Sequence, residues 1–379
     1  MAGNSSRPDY FFHPGAYLEE TLRGLGMKKR DLADRCGRPA KTISEILSGD
    51  AAVTPETAIQ FERVLGIPAS TWTAMEANYR LMLAEKQDEI NLIDAEAWAK
   101  DFPYRELVRI GVVEKKETWA NAAKQLLKFF GVASIDGWEN YCRDLQIASS
   151  FRKGHTHEPK IQSKVAWLRL GEIKGRSIDC ASFNPKLFRE TLNRLKSLTF
   201  KSRRSEFEDE LVSECAKCGV AVVIVKELEG TRMSGAARWL SPEKALVQVS
   251  TRYRRDDQFW FSFFHEAGHI LLHGKKQRFA DEMATSGPPI FVDEEGGEPS
   301  IEEKEANEFA QNILLPKQVL EEFYARYPGP KGRFTKKNVL EFSGYAGVCP
   351  GVIVGQLQRR HPNLYKSAQL NPLKKIIAE

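Results

Sequence analysis

Residues 261–273, Phe-Ser-Phe-Phe-His-Glu-Ala-Gly-His-Ile-Leu-Leu-His, constrain this chain more than any other stretch. Aromatic and aliphatic side chains from Trp260 to Leu272 surround the polar positions, so the run predicts a buried helix. His265 and His269 are four residues apart and leave a helix on one face. Two imidazoles so placed can hold one Zn²⁺. Glu266, beside the first histidine, is then placed to take a proton from water activated by the metal. The plainer reading is a core helix with two incidental histidines.

A catalytic zinc usually takes three protein ligands. His273 lies one turn beyond His269, but three consecutive turns of one straight helix cannot surround an ion. It reads as a helix-end or supporting residue. Lys275, Lys276 and Gln277 offer nothing better. The run 301–316 is more promising. Ala306, Phe309, Ala310, Ile313 and Leu314 form one apolar stripe, and Pro316 ends the helix. Extended backwards by a turn, the stripe reaches Glu302 and Glu303, while Glu305 falls to the side. Spacing does not choose between the first two. An acidic first turn facing water is the competing explanation, since the helix dipole favours it.

Together, the His265–His269 motif, Glu303-x-x-Ala306-Asn307-x-Phe309-Ala310 and Leu314-Leu315-Pro316 resemble the ImmA/IrrE family of zinc metallopeptidases. The resemblance covers roughly residues 205–320. It implies that Glu303 completes a gluzincin-type site with His265 and His269, with Zn²⁺ as cofactor and Glu266 as the catalytic base. Residues 219–225 and 245–250 resemble the strands that precede the active helix. Family members cleave transcriptional repressors or relieve repression, often in stress or mobile-element control.

Residues 13–75 read as five short helices. Cys36-Gly37-Arg38 forms a tight turn, and Pro39 suits the first turn of a helix running to Gly49. Thr54-Pro55 caps and opens the next one. Helix, glycine turn, short helix is the helix-turn-helix pattern. Lys41, Thr42, Ser44 and Glu45 are expected at base edges in a major groove, and Ile43, Ile46 and Leu47 inside. Lys28, Lys29 and Arg38 are placed to reach phosphates. His13-Pro14-Gly15-x-x-Leu18, Ile43-Ser44-Glu45-Ile46-Leu47-Ser48-Gly49 and Leu65-Gly66-Ile67-Pro68 resemble the Xre-type module, and more narrowly its HigA-like antitoxin branch. That resemblance implies a homodimer on double-stranded operator DNA, the chain's own promoter included.

The 379 residues suffice for two or three domains. We expect a mainly α chain with a small β-sheet (α+β). The division is a DNA-binding domain at 1–80, a helical linker at 81–204, a metallopeptidase domain at 205–325 and a helical extension at 326–379. Helices are expected at 103–112, 117–131, 136–146, 160–173 and 185–199. The net charge is +5 and unevenly spread; residues 100–204 are rich in Lys and Arg and read as a solvated helical surface. Six cysteines without framework spacing, no signal segment and no long apolar run point to the cytoplasm, with no membrane. Cys215-x-x-Cys218 lacks a second pair and reads as two ordinary residues at a helix end. His155 and His157 read as part of a polar loop.

Residues 284–299, rich in Gly, Pro and acids, are expected to form a loop over the zinc cleft. The strand at 245–250 is expected to pair with substrate through an exposed edge. Tyr253, Arg254 and Arg255 are candidate oxyanion donors. The substrate is expected to be a repressor or a partner protein such as a cognate toxin. The competing function is an antitoxin or repressor whose zinc fold senses or binds toxin without turnover.

Overall fold

The computed structural model describes residues 13–145, 161–252, 255–274, 291–294, 300–328 and 334–378. Helices dominate them, and the strands form one small sheet. The chain divides into two compact units. One runs to Ala97 and includes Glu117–Ala123; the other holds Trp98–Lys116 and the chain from Lys124 on.

The first unit begins with α1 (Pro14–Gly24), α2 (Lys29–Cys36), α3 (Ala40–Ser48), α4 (Pro55–Leu65) and α5 (Ala69–Asp94). Leu18, Leu22, Leu32, Ile43, Ile46, Phe61 and Trp72 close its core. Gly37 ends α2 at φ 62°, the left-handed conformation that glycine adopts without a Cβ penalty. Thr54 caps α4 by accepting the Thr57 N–H at 3.3 Å. Pro39 sits one residue earlier than expected, as the cap of α3, because its extended ψ of 137° precedes the helix. The fifth helix continues well past residue 75. No Gly or Pro interrupts residues 69–94, so it runs for 26 residues, with Leu81, Leu83 and Ile90 exposed.

The next helices are α6 (Glu96–Lys100), α7 (Tyr104–Ile110), α8 (Trp119–Phe130), α9 (Ile135–Asp144), α10 (Ile161–Arg176), α11 (Pro185–Leu195) and α12 (Arg204–Ala216). The sheet has strand order β1 (Val220–Val225), β3 (Lys244–Ser250), β2 (Met233–Ser241) and β4 (Phe291–Glu294). β1 lies parallel to β3, whereas β2 is antiparallel to both β3 and β4.

β3 therefore has partners on both sides. The expectation that residues 245–250 offer an edge to substrate is wrong, because β2, which the sequence reading missed, occupies that edge. Only Pro242 and Glu243 separate the paired residues Ser241 and Lys244, the spacing of a tight hairpin.

Side chains alternate across the sheet. Ala245, Val247 and Val249 join the main core, which also holds Phe263 and Phe264. Gln248 and Leu246 face α10, where Cβ atoms on Gly171 and Gly175 would overlap them. Residues 161–176, which the sequence assigns to a linker, thus cover one face of the sheet. Gln248 Nε2 donates to the Trp167 carbonyl at 2.8 Å, and Trp167 Nε1 donates to the Val225 carbonyl at 3.2 Å. On this side Glu172 meets Arg169 at 2.9 Å, Arg176 at 3.0 Å and Arg238 of β2 at 3.0 Å.

The other face carries α13 (Asp256–Leu272), followed by α14 (Ile301–Leu314), α15 (Lys317–Arg326), α16 (Lys336–Ala346) and α17 (Pro350–Arg360). Val352, Ile353, Val354 and Leu357 of α17 lie in the same core as α13. The final described residues strap this unit. Ala378 bridges to Arg203, Ile376 to Arg255, and Lys374 Nζ pairs with Asp257 Oδ2 at 2.7 Å in a buried position. Among the described residues, no helix is long and apolar enough to cross a membrane.

Candidate metal centre

α13 is buried along almost its whole length, as its apolar flanks require. His265, Glu266 and His269 are each at most 1% exposed. α14 packs beside it, and Gly268 permits the approach, since a Cβ there would lie 3.0 Å from the Phe309 ring. Ser300 caps α14 by accepting the Glu303 N–H at 3.2 Å. The Glu303 carboxylate then turns toward α13 rather than back onto its own cap.

His265 Nε2 lies 3.0 Å from His269 Nε2 and 3.1 Å from Glu303 Oε2. His269 Nε2 lies 3.2 Å from Glu303 Oε1. A tetrahedral ion with bonds of about 2.05 Å separates its ligand atoms by ~3.3 Å, so this triangle has nearly the dimensions that zinc needs. Among the described residues these three form the one His/Cys/Asp/Glu group able to hold a metal. Burial pushes the Glu303 carboxyl up, but hydrogen bonds and charge from the two histidines outweigh it and hold the group at about 2. Burial pushes the His269 imidazole down, toward the neutral form that ligates metals.

Glu302 and Glu305 are exposed and stay outside this triangle. They serve His273 instead: its Nε2 lies 3.2 Å from the Glu302 carbonyl and its Nδ1 3.7 Å from the Glu305 carboxylate. His273 caps the C-terminus of α13, consistent with a helix-end residue.

Glu266 is fully buried against β2. A Cβ on Gly235 would lie 2.4 Å from Glu266 Oε1 and 2.7 Å from Cγ, so only glycine leaves room for this carboxylate. The sequence reading missed Gly235; its signal was a glycine inside a strand, which often marks a close approach. It also missed Ser300, although Ser300-x-x-Glu303 is a capping-box spacing.

Other expectations fare differently. Arg255 caps the N-terminus of α13, ten residues before His265 and thus ~15 Å away along the helix. Tyr253, Arg254, His155 and His157 lie outside the described residues. So do 284–289 and 295–299 of the expected loop, whereas Asp293 and Glu294 belong to β4. Cys215 and Cys218 are buried around the end of α12, and burial pushes the Cys215 thiol up.

In the first unit, Ile43 and Ile46 face inward on α3 and Leu47 is half-buried. Lys41 is exposed, and Thr42, Ser44 and Glu45 are partly so. Lys41 also pairs with Glu45 at 3.7 Å, one turn on. Lys28 and Lys29 are exposed at the start of α2, while Arg38 Nε donates to Gln60 Oε1 at 2.7 Å.

The profile of the IrrE N-terminal-like domain, peptidase family M78, matches residues 221–333, and a helix-turn-helix profile matches residues 18–72. Virulence-associated protein I of Dichelobacter nodosus is 33% identical over 94 residues, 24% of this chain and 85% of that protein. The chain belongs to the helix-turn-helix family. It carries an M78-type domain behind that module. The chain is also 32% identical over 78 residues to the uncharacterised HTH-type transcriptional regulator YddM of Escherichia coli (strain K12). That match spans 21% of this chain and 83% of YddM. A solved addiction module antidote protein of the HigA family from Coxiella burnetii aligns at 26% identity and a TM-score of 0.21. It covers 22% of this chain and 92% of its own.

Proposed function

We propose that this helix-turn-helix protein is a DNA-binding regulator whose M78-type domain is a zinc-dependent endopeptidase. Its substrate is a repressor or a partner protein, a cognate toxin included. The observation that carries the reading is the convergence of His265, His269 and Glu303 within about 3 Å of one another, with Glu266 on the same helix. Zinc, when bound, polarises a peptide carbonyl and makes water acidic near neutral pH. His265 and His269 would hold the ion through Nε2, and Glu303 through its carboxylate. Glu266 accepts a proton from the attacking water and returns it to the leaving amine. The buried wall of α13 and β2 keeps this carboxylate from bulk solvent.

In the same reading α3 enters the major groove. Lys41, Thr42, Ser44 and Glu45 meet bases, and Lys28, Lys29 and Arg38 meet phosphates. A homodimer on paired half-sites, in the cytoplasm, brings proteolysis to the promoter it controls.

Elemental analysis of the purified chain tests this first, together with cleavage of a proteome-derived peptide library by wild type and Glu266→Gln. About one zinc per protomer is expected, with cleavage by the wild type alone. No zinc uptake, or equal cleavage by the variant, sinks the proposal. Zinc without any cleavage favours a sensor or toxin-binding surface instead.

A further inference from the structure

A cavity of about 350 Å³ lies where the C-terminal ends of β1 and β3 meet the strap. These two strands are parallel, and in open α/β sheets small molecules bind outside the carboxyl ends of such strands. Ile224 is the penultimate residue of β1, and Thr251 follows the last residue of β3. Phe207 of α12 and Phe259 of α13 add two rings to the wall, their centroids 5.4 Å apart. Ile376, Ile377 and Ala378 form the strap's side. Ile376 is 66% exposed, so this side opens to solvent.

The rings and the branched aliphatic side chains offer a ligand carbon surface. Two polar side chains of the lining are already engaged within the fold. Arg204 pairs with the Glu208 carboxylate and donates to the Ile224 carbonyl at 3.3 Å, and the Thr251 hydroxyl donates to Glu227 Oε2 at 3.2 Å. A strongly polar ligand would give up its hydration against these walls, whereas an apolar one exchanges water for carbon contacts. The two phenylalanines favour an aromatic ligand, since aromatic pairs gain beyond the area that they bury. A cavity of about 150 Å³ takes benzene, so this one has room for roughly ten to fourteen non-hydrogen atoms.

The strap is tied to the starts of two helices around this cavity. The Arg204 N–H donates to the Ala378 carbonyl at 2.8 Å, and the Ala378 N–H to the Ser202 carbonyl at 3.0 Å. The Asp256 N–H donates to the Lys375 carbonyl at 2.9 Å. A molecule in the cavity touches the strap on one side and α12 and α13 on the other, so it holds these bonds closed.

We propose that this cavity binds a neutral aromatic molecule of about naphthalene's size, and that its occupancy clamps the strap onto the starts of α12 and α13. The proposal is independent of the zinc-peptidase reading.

The test titrates the full chain with 1-aminonaphthalene, which is neutral at pH 7 and shifts its emission to the blue in an apolar site. Saturable binding is expected with a dissociation constant on the order of 0.1 mM. 1-Decanol, of the same atom count but without rings, should displace it at least ~3-fold less well than 2-naphthol does. Amide hydrogen exchange at Arg204, Asp256 and Ala378 should slow several-fold in the complex. Ile376→Asp should weaken binding at least ~10-fold, because it sets a charge against the ligand, and Ile376→Leu should keep it. Ile376 is exposed, so thermal unfolding of the ligand-free chain should be unchanged in both variants. No saturable binding, binding indifferent to Ile376→Asp, or unchanged exchange at the three amides overturns the site. Tighter binding of 1-decanol than of 2-naphthol overturns the aromatic class.

Discussion

The Ser300 hydroxyl accepts the backbone N–H of Glu303 at 3.2 Å, so the residue that starts α14 also fixes the carboxylate that meets His265 and His269. Ser300→Ala should cost about 1 kcal/mol of stability, the usual loss for an N-cap. It should also weaken zinc binding roughly tenfold, as loss of a residue supporting a ligand does. Ser300→Asp should restore both. Thermal unfolding and competitive zinc titration read the two effects separately; unchanged zinc affinity in the alanine variant would show that the cap does not position Glu303.

Glu302, Glu303 and Glu305 share the first turns of α14, but of the three it is Glu303 whose carboxylate meets His265 and His269. Glu303→Gln should drop bound zinc well below one per protomer, while Glu302→Gln and Glu305→Gln should keep it. Elemental analysis of the three variants decides. Retention of full zinc by Glu303→Gln would remove this residue from the ligand set.

Gly235 is a wall of the Glu266 pocket, not a flexible joint. Gly235→Ala should put a methyl within 2.4 Å of the present carboxylate position and force Glu266 aside. We expect peptide cleavage to fall by about 100-fold or more, with zinc content unchanged, because general-base catalysis typically contributes that much. Normal cleavage by this variant would mean that Glu266 moves without consequence.

The buried Glu172 carboxyl is pushed up by burial, but Arg238 and Arg169 outweigh that and hold it at about 2. An unfolded glutamate titrates near 4.3, so the folded state binds fewer protons between these values. The stabilisation is full above about pH 4.3 and is lost as pH falls toward 2. Glu172→Gln strands the arginines and should cost ~3 kcal/mol at pH 7. The gap between variant and wild type in denaturant melts should narrow as pH drops from about 5 to about 2.5. A gap that stays constant with pH would assign the loss to packing rather than charge.

Lys41→Ala combined with Thr42→Ala should weaken binding to the chain's own promoter without changing zinc content. Fluorescence anisotropy with labelled promoter DNA, at several salt concentrations, is the measurement. Replacing Lys28 and Lys29 should instead reduce the slope of affinity against salt. Promoter affinity indifferent to the double substitution would reassign α3 to another surface.

Much of this protein is legible in its sequence because its chemistry is locally written. Two histidines four apart need only a helix to meet, and Gly37 needs only its own φ. The middle helices α7 to α11 also follow the expected segments closely, each marked by its own apolar period. What was not legible depends on partners remote in sequence. β2 escaped because Met-Ser-Gly-Ala-Ala-Arg-Trp carries small and polar residues on a strand buried on both faces, so no alternation appears. The position of α10 against the sheet is set by Gly171 and Gly175 meeting Gln248 and Leu246, a fit invisible in either segment alone.

Two of the converging side chains belong to α13 and the third to α14, thirty-four residues beyond His269 by their numbers. Any cation seated among them is therefore a crosslink closing a long loop of chain, as a disulfide would. Chelation should do more than silence the centre. It should unfasten α14 from α13, so that occupancy of the site and cohesion of the surrounding helices become one equilibrium, read equally well by metal content or by protease sensitivity.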